Sequence, residues 1–113
     1  MATCTTTKTD QIRTLNDAFR QSFVGGRVMM TSGVNALDDA DRLALLAAVR
    51  AFDAFTPDND PYGEHDFGGI DIKGSKFFWK LDYYDLQCRS GSPDPADPAV
   101  TTRVLTIMRA EEY

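Results

Sequence analysis

The sequence predicts an α+β fold: a small antiparallel sheet packed against three helices, in the order helix, strand, helix, hairpin, helix. Three observations carry this expectation. Two segments in the first half repeat apolar residues at helical spacing. A segment near residue 80 alternates apolar and polar side chains with a period of two. A Pro- and Asp-punctuated loop then leads into a final apolar segment. The 113 residues fit one domain, with residues 1–8 read as a flexible polar tail and residues 9–113 as the folded unit.

The first helix is expected from about Asp10 to Val24. Ile12, Leu15, Phe19 and Phe23 form its apolar stripe, Thr9 is placed to cap it, and Gly25-Gly26 stops it. Arg27 to Thr31 reads as a short strand, and Ser32-Gly33 as a turn. The second helix is expected from Asp39 to Phe55. Asp38 caps it, Asp39 and Asp41 suit the positive end of its dipole, and Pro57 ends it. Leu45, Leu46, Val49 and Phe52 supply its apolar face.

A turn-rich stretch from Thr56 to Asp66 leads to two strands, about Asp66 to Lys73 and Lys76 to Tyr84, joined at Gly74-Ser75. In the second strand Phe77, Trp79, Leu81 and Tyr83 share one face, and Phe78, Lys80, Asp82 and Tyr84 share the other. The first set is the better core face. Ser90 to Ala96 is a loop. The last element is expected to be a helix, capped by Asp97, opened by Pro98, and buried through Val100, Val104, Ile107 and Met108.

Charge is distributed unevenly. Residues 1–30 carry four basic and two acidic side chains, residues 31–71 two basic and nine acidic, and the remainder six of each, for a net charge of -5. This sign does not suit a generic nucleic-acid binder, which neutralises phosphates. It suits a solvated acidic surface or one that meets a basic partner. No stretch approaches the roughly 18 apolar residues of a membrane span, and the N-terminus lacks the apolar block of a signal peptide. A cytoplasmic location is expected. Cys4 and Cys88 are too few for a disulfide framework and read as two free thiols.

The densest group of polar side chains is Asp58, Asp60, Glu64, His65 and Asp66. As a calcium loop starting at Asp58 it fails at the fifth position, Tyr62, and at the twelfth, Gly69. His65 with Glu64, Asp66 or Asp82 is a thin basis for a transition-metal site. No phosphate loop or dinucleotide fingerprint is present, so no cofactor and no metal is expected. For acid–base chemistry His65 is the candidate, oriented by Asp66 or Asp82, but Ser90 and Ser92 lack a nucleophile setting. The bland account is a turn stabilised by Asp side chains, with His65 opening a strand.

Five blocks carry a resemblance: Leu15 to Arg20, Gly26 to Thr31, Asp60 to Gly68, Phe78 to Tyr84, and Ser92 to Pro95 leading into Val104 to Met108. Together they resemble an uncharacterised family of small alphaproteobacterial proteins, described as a domain of unknown function. The resemblance implies no activity, cofactor or catalytic residue. It implies a setting on plasmids and mobile elements, near anti-restriction and plasmid-maintenance genes.

The leading functional expectation is a non-catalytic protein-binding modulator from a mobile element. An anti-CRISPR or anti-restriction inhibitor, aimed at a host nucleic-acid-handling or defence complex, is its sharpest form. The expected partner-binding residues are Asp53, Asp58, Asp60, Glu64 and Asp66 of the acidic segment, with Phe78, Lys80, Asp82 and Tyr84 of the second strand face. The alternatives are a small hydrolase using His65 with Asp66 or Asp82, and a homo-oligomeric plasmid-maintenance factor that pairs, as a homodimer, through the hairpin edge. Neither direct nucleic-acid binding nor membrane association is expected.

Overall fold

A Thr7–Asp10 capping box opens the first helix. The Thr7 hydroxyl accepts the Asp10 amide at 3.0 Å, and the Asp10 carboxylate accepts the Thr7 amide at 3.3 Å. The cap is therefore Thr7 rather than Thr9, and α1 spans Lys8–Ser22 in this computed structural model, which describes residues 7–113. Thr7 and Lys8, expected in the tail, belong to the helix start. The rest of that expected tail, with Cys4, lies outside the described residues. The helix closes at Phe23, whose left-handed backbone (φ 60°) turns the chain before the two glycines are reached.

Strand β1 spans Arg27–Met30. The expected Ser32-Gly33 turn is a short helix, α2, Ser32–Asn35. Helix α3 spans Asp39–Ala51, with the Asp38 carboxylate accepting the Asp41 amide at 2.8 Å. It ends short of the expected Phe55. Phe52 and Phe55 leave the helix and pack edge-on against Trp79, with centroids at 5.4 and 6.1 Å.

Strands β2, Phe67–Ile72, and β3, Ser75–Tyr84, form the hairpin. The turn is Lys73-Gly74, one residue earlier than expected. Both residues have positive φ (50° and 82°), which matches the twist of a two-residue hairpin. Phe77, Trp79 and Leu81 are buried, as the alternation predicts.

The last element is not a helix. Asp97 does cap, accepting the Ala99 amide at 2.9 Å, but it caps a three-residue 3-10 turn, Pro98–Val100. Strand β4, Thr102–Arg109, follows. Val100, Val104, Ile107 and Met108 satisfy a helical spacing, yet Arg103, Leu105 and Ile107 satisfy a period of two equally well. Thr101, Thr102, Val104, Thr106 and Ile107 are β-branched and favour the extended form.

The sheet order is β1-β4-β3-β2. The two β3 contacts are antiparallel, and β1 runs parallel to β4, so the sheet is mixed rather than wholly antiparallel. The protein is α+β, with its helices on one face. Phe19 of α1, Val34 of α2, and Leu45 and Val49 of α3 join Phe77, Trp79, Leu81, Leu105 and Ile107 in one core. Gly68 faces Trp79 across the hairpin, and a Cβ there would lie 2.4 Å from the indole Nε1. Among the described residues, no helix is long and apolar enough to cross a membrane.

Among the described residues the other sheet face carries no α-helix, though the C-terminal 3-10 turn, Ala110–Glu112, and Tyr113 cover its end at Phe78, where Met108 is buried. Directly paired residues share a face, so Phe78, Lys80, Asp82 and Tyr84 of β3 align there with Met108, Thr106, Val104 and Thr102 of β4. Met29 of β1 lies beside Thr106 and is 54% exposed. Lys80 and Asp82 form an ion pair at 2.9 Å. At one end Phe67, Phe78 and Tyr113 form a ring cluster with centroids 5.1 to 5.7 Å apart.

Candidate functional site

Helix α1 buries two polar side chains on its apolar stripe. Ile12, Asn16, Phe19 and Arg20 follow helical spacing, and Asn16 and Arg20 are as buried as Phe19. Buried polar groups need partners, and these two reach into the loop from Phe52 to Asp66 and across to β3 and β4.

Arg20 donates to Asp17 at 3.0 Å and to the Phe52 carbonyl at 3.0 Å. Its guanidinium lies over the Trp79 and Phe55 rings, 5.1 and 5.3 Å from their centroids. Asp17 also receives His65: Nδ1 lies 2.8 and 3.1 Å from the two carboxylate oxygens. A carboxylate only accepts, so Nδ1 carries the proton of this bond. The His65 ring stacks flat on Phe55, with centroids 3.7 Å apart and planes 2° apart. Its backbone is left-handed (φ 55°), and its amide donates to Asp60 Oδ1 at 3.1 Å. On the far side of the ring, Nε2 and Asp60 Oδ2 are 3.6 Å apart.

Asn16 organises the second half of the network. Its amide nitrogen donates to the Glu64 carbonyl at 3.0 Å and to the Tyr83 hydroxyl at 2.7 Å, and its oxygen accepts Arg103 Nε at 2.8 Å. Tyr83 donates to Glu64 Oε1 at 2.8 Å. Burial and the Glu64 acceptor hold the Tyr83 phenol protonated, well above the ordinary tyrosine range. Burial lowers the Arg103 pKa. Asp66 is raised by burial and by the Glu64 charge beside it.

Beside this network an open cleft of ≈ 460 Å³ is walled by Phe55, Pro57, Pro61 and Tyr62, with Asp60 and His65 on its border. The expected acidic segment divides accordingly. Asp53 and Asp58 are exposed, Glu64 and Asp66 are half-buried, and Asp60 is buried at 9% exposure. Of the residues expected to orient His65, neither appears among its ion pairs, which are with Asp17 and Asp60. Asp82 instead pairs with Lys80 on the helix-free face. A carboxylate-held imidazole on a cleft is a geometry of acid–base catalysis. The hydroxyl of Ser92, however, is bonded to Thr101 at 2.7 Å, on the loop between β3 and β4. Among the described residues, no three His, Cys, Asp or Glu side chains form a metal-holding group.

Sequence reasoning did not single out Asn16, Asp17, Arg20, Phe55 or Arg103. The signal for two of them was present: Asn16 and Arg20 interrupt an apolar stripe at positions i+4 and i+8 from Ile12.

A family model matches residues 30–112, more than half of the chain. The chain belongs to that family. Its description is "Protein of unknown function (DUF3768)". The matched span takes in the loop that carries Asp60 and His65 and all of the hairpin and β4, while α1, which supplies Asn16, Asp17 and Arg20, precedes it. Neither the curated proteins nor the solved structures provide a match.

Proposed function

We propose that this domain works by binding another protein through the helix-free face of its sheet. One observation carries the reading: among the described residues all three α-helices pack on one face, and the other, beyond the end where Tyr113 covers Phe78, presents the exposed Met29, the half-buried Tyr84 and the Lys80–Asp82 pair. Apolar and aromatic side chains around a charged pair match the composition of contact surfaces. The exposed Asp53 and Asp58 add a negative field that favours a basic partner at long range. A host nucleic-acid-handling or defence complex has such basic grooves. Inhibition of one, in the manner of an anti-restriction or anti-CRISPR protein, is the form of the proposal that the family resemblance supports.

The test is affinity capture from a host lysate with the wild-type domain, a Met29→Glu/Tyr84→Ala variant, and an Asp53→Asn/Asp58→Asn variant. The face variant should lose the captured partner. The acidic-segment variant should retain it with slower association and a weaker salt response. Equal capture by the face variant, with its fold intact, removes the face from the interface.

A further inference from the structure

Hydrogen-bond alternation in the β2–β3 ladder leaves one side of β2 without partners. The Leu81 amide donates to the Asp66 carbonyl at 2.8 Å, so Asp66, Gly68, Ile70 and Ile72 turn their backbone groups toward β3. Phe67, Gly69 and Asp71 turn theirs away from it, and β2 is the end strand of the sheet. Among the described residues no backbone or side-chain group bonds to these outward amides and carbonyls. A row of unpaired N–H and C=O groups is a template for another strand.

Edges are commonly blocked by a proline, a bulge or a very short strand. β2 has six residues, no proline, and a register unbroken from Phe67 to Ile72. Lys73 at its turn does not guard it, because the ammonium lies 2.8 Å from Asp41 of α3. That contact and the packing of Gly68 on the buried Trp79 hold the edge in place. Gly69 and Asp71 are exposed, and Ile70 and Ile72, at the rim of the core, are half-buried. The opposite edge, β1, is four residues long and begins at the exposed Arg27.

We propose that β2 pairs antiparallel with β2 of a second copy of this chain, about a two-fold axis at Gly69. The edge is self-complementary in that register. Gly69 bonds to Gly69 of the second copy, and Phe67 and Asp71 each bond to the other residue of the second copy, so every outward group gains a partner. An axis at Asp71 would set two carboxylates opposite each other. An axis at Ile70 would leave Phe67 facing Lys73, and one at Phe67 would draw in His65, yet both of those residues have left-handed backbones (φ 50° and 55°) outside the strand. Gly69 has no side chain to crowd the centre, and Ile70 lies opposite Gly68 of the second copy, a large side chain against none. The axis is perpendicular to the sheet, so the helices of both copies share one face and the two helix-free faces join. The pairing does not depend on what that face binds.

The experiment is analytical ultracentrifugation of the full chain from micromolar to millimolar concentration, with amide exchange followed by ¹⁵N NMR at both ends of that range. A reversible dimer is expected. The Gly69 and Asp71 amides should exchange fast in dilute protein and slowly in concentrated protein, while those of Gly68, Ile70 and Ile72 are protected throughout. Gly69→Lys should leave the fold intact, because a Cβ there meets nothing nearer than the Lys76 side chain at 3.5 Å. It sets like charges face to face across the axis and should weaken the dimer about five-fold or more. Gly69→Asp should do the same, and an equimolar mixture of the two variants should restore the dimer. A chain that stays monomeric throughout overturns the proposal and leaves the edge to a strand of another protein. A dimer that Gly69→Lys leaves as tight, or whose Gly69 amide stays unprotected, overturns it and places the contact on another surface.

Discussion

The Asp17 carboxylate lies 2.8 Å from Nδ1 of His65, across 48 positions of sequence, and the same oxygen accepts Arg20. One side chain of α1 thus fixes both a loop imidazole and a buried guanidinium. Asp17→Ala should cost about 2 kcal/mol, the range for hydrogen bonds to charged groups, because Arg20 would be left beneath the loop with fewer acceptors. Urea denaturation measures this. A loss under about 0.5 kcal/mol, the level of an ordinary surface change, would show that the pair is incidental.

Trp79→Ala should cost roughly 3–5 kcal/mol, as for large aromatic truncations in cores. Trp79 is fully buried and meets Phe52, Phe55 and Arg20. Gly68→Ala should destabilise through the same contact, by about 1–3 kcal/mol, since its Cβ would press on the indole and the Phe52 ring. Thermal melts of the two single variants and the double variant distinguish the causes. Gly68→Ala should be milder in the Trp79→Ala background.

Asp66 gives a pH signature. Burial, then the Glu64 charge, raise its folded pKa above the ordinary aspartate value. The folded state therefore holds the proton more tightly than the unfolded chain. The associated stability is fully present below the unfolded value of 3.8 and is lost as pH rises through the folded value. At neutral pH Asp66→Asn should be more stable than wild type, and the difference should shrink as pH falls toward that range. Denaturation midpoints of the two proteins across pH would show it. A gap that widens in acid contradicts the account.

Tyr83→Phe removes a donor to Glu64 and an acceptor for Asn16. Asn16→Ala strips an acceptor from Arg103. Each should cost about 1–3 kcal/mol as buried groups lose partners. The double variant should cost less than the sum, because both changes break one network. Strict additivity in denaturant melts would show that the two residues act separately.

Much of the helix-side architecture was legible in residue spacing. The Ile12–Phe19 stripe, the Asp38 cap and the β3 alternation each have one local solution. β4 did not, because Val100, Val104, Ile107 and Met108 fit a helical spacing while Arg103, Leu105 and Ile107 fit a period of two, and only its position between β1 and β3 decides for the strand. The His65 network was less legible. Asp60, Glu64 and His65 stood out as a polar cluster. Their partners Asp17, Asn16 and Tyr83 lie far off in sequence, and no local pattern joins them.

The placement of β4 bears on the order in which the domain assembles. The β2–β3 hairpin closes through a two-residue turn and can form from local chain alone. Strand β1 is made early, yet among the described residues its one neighbour in the sheet is β4, the last strand, 77 positions away (Arg27 opposite Val104). Until β4 emerges during synthesis, β1 has no sheet partner and the apolar stripes of α1 and α3 have only the hairpin to cover. A chain halted before Thr102 would expose those stripes together with the unpaired edge of β3, an adhesive intermediate prone to association with other chains. Insertion of β4 joins the two separated halves in one closing event.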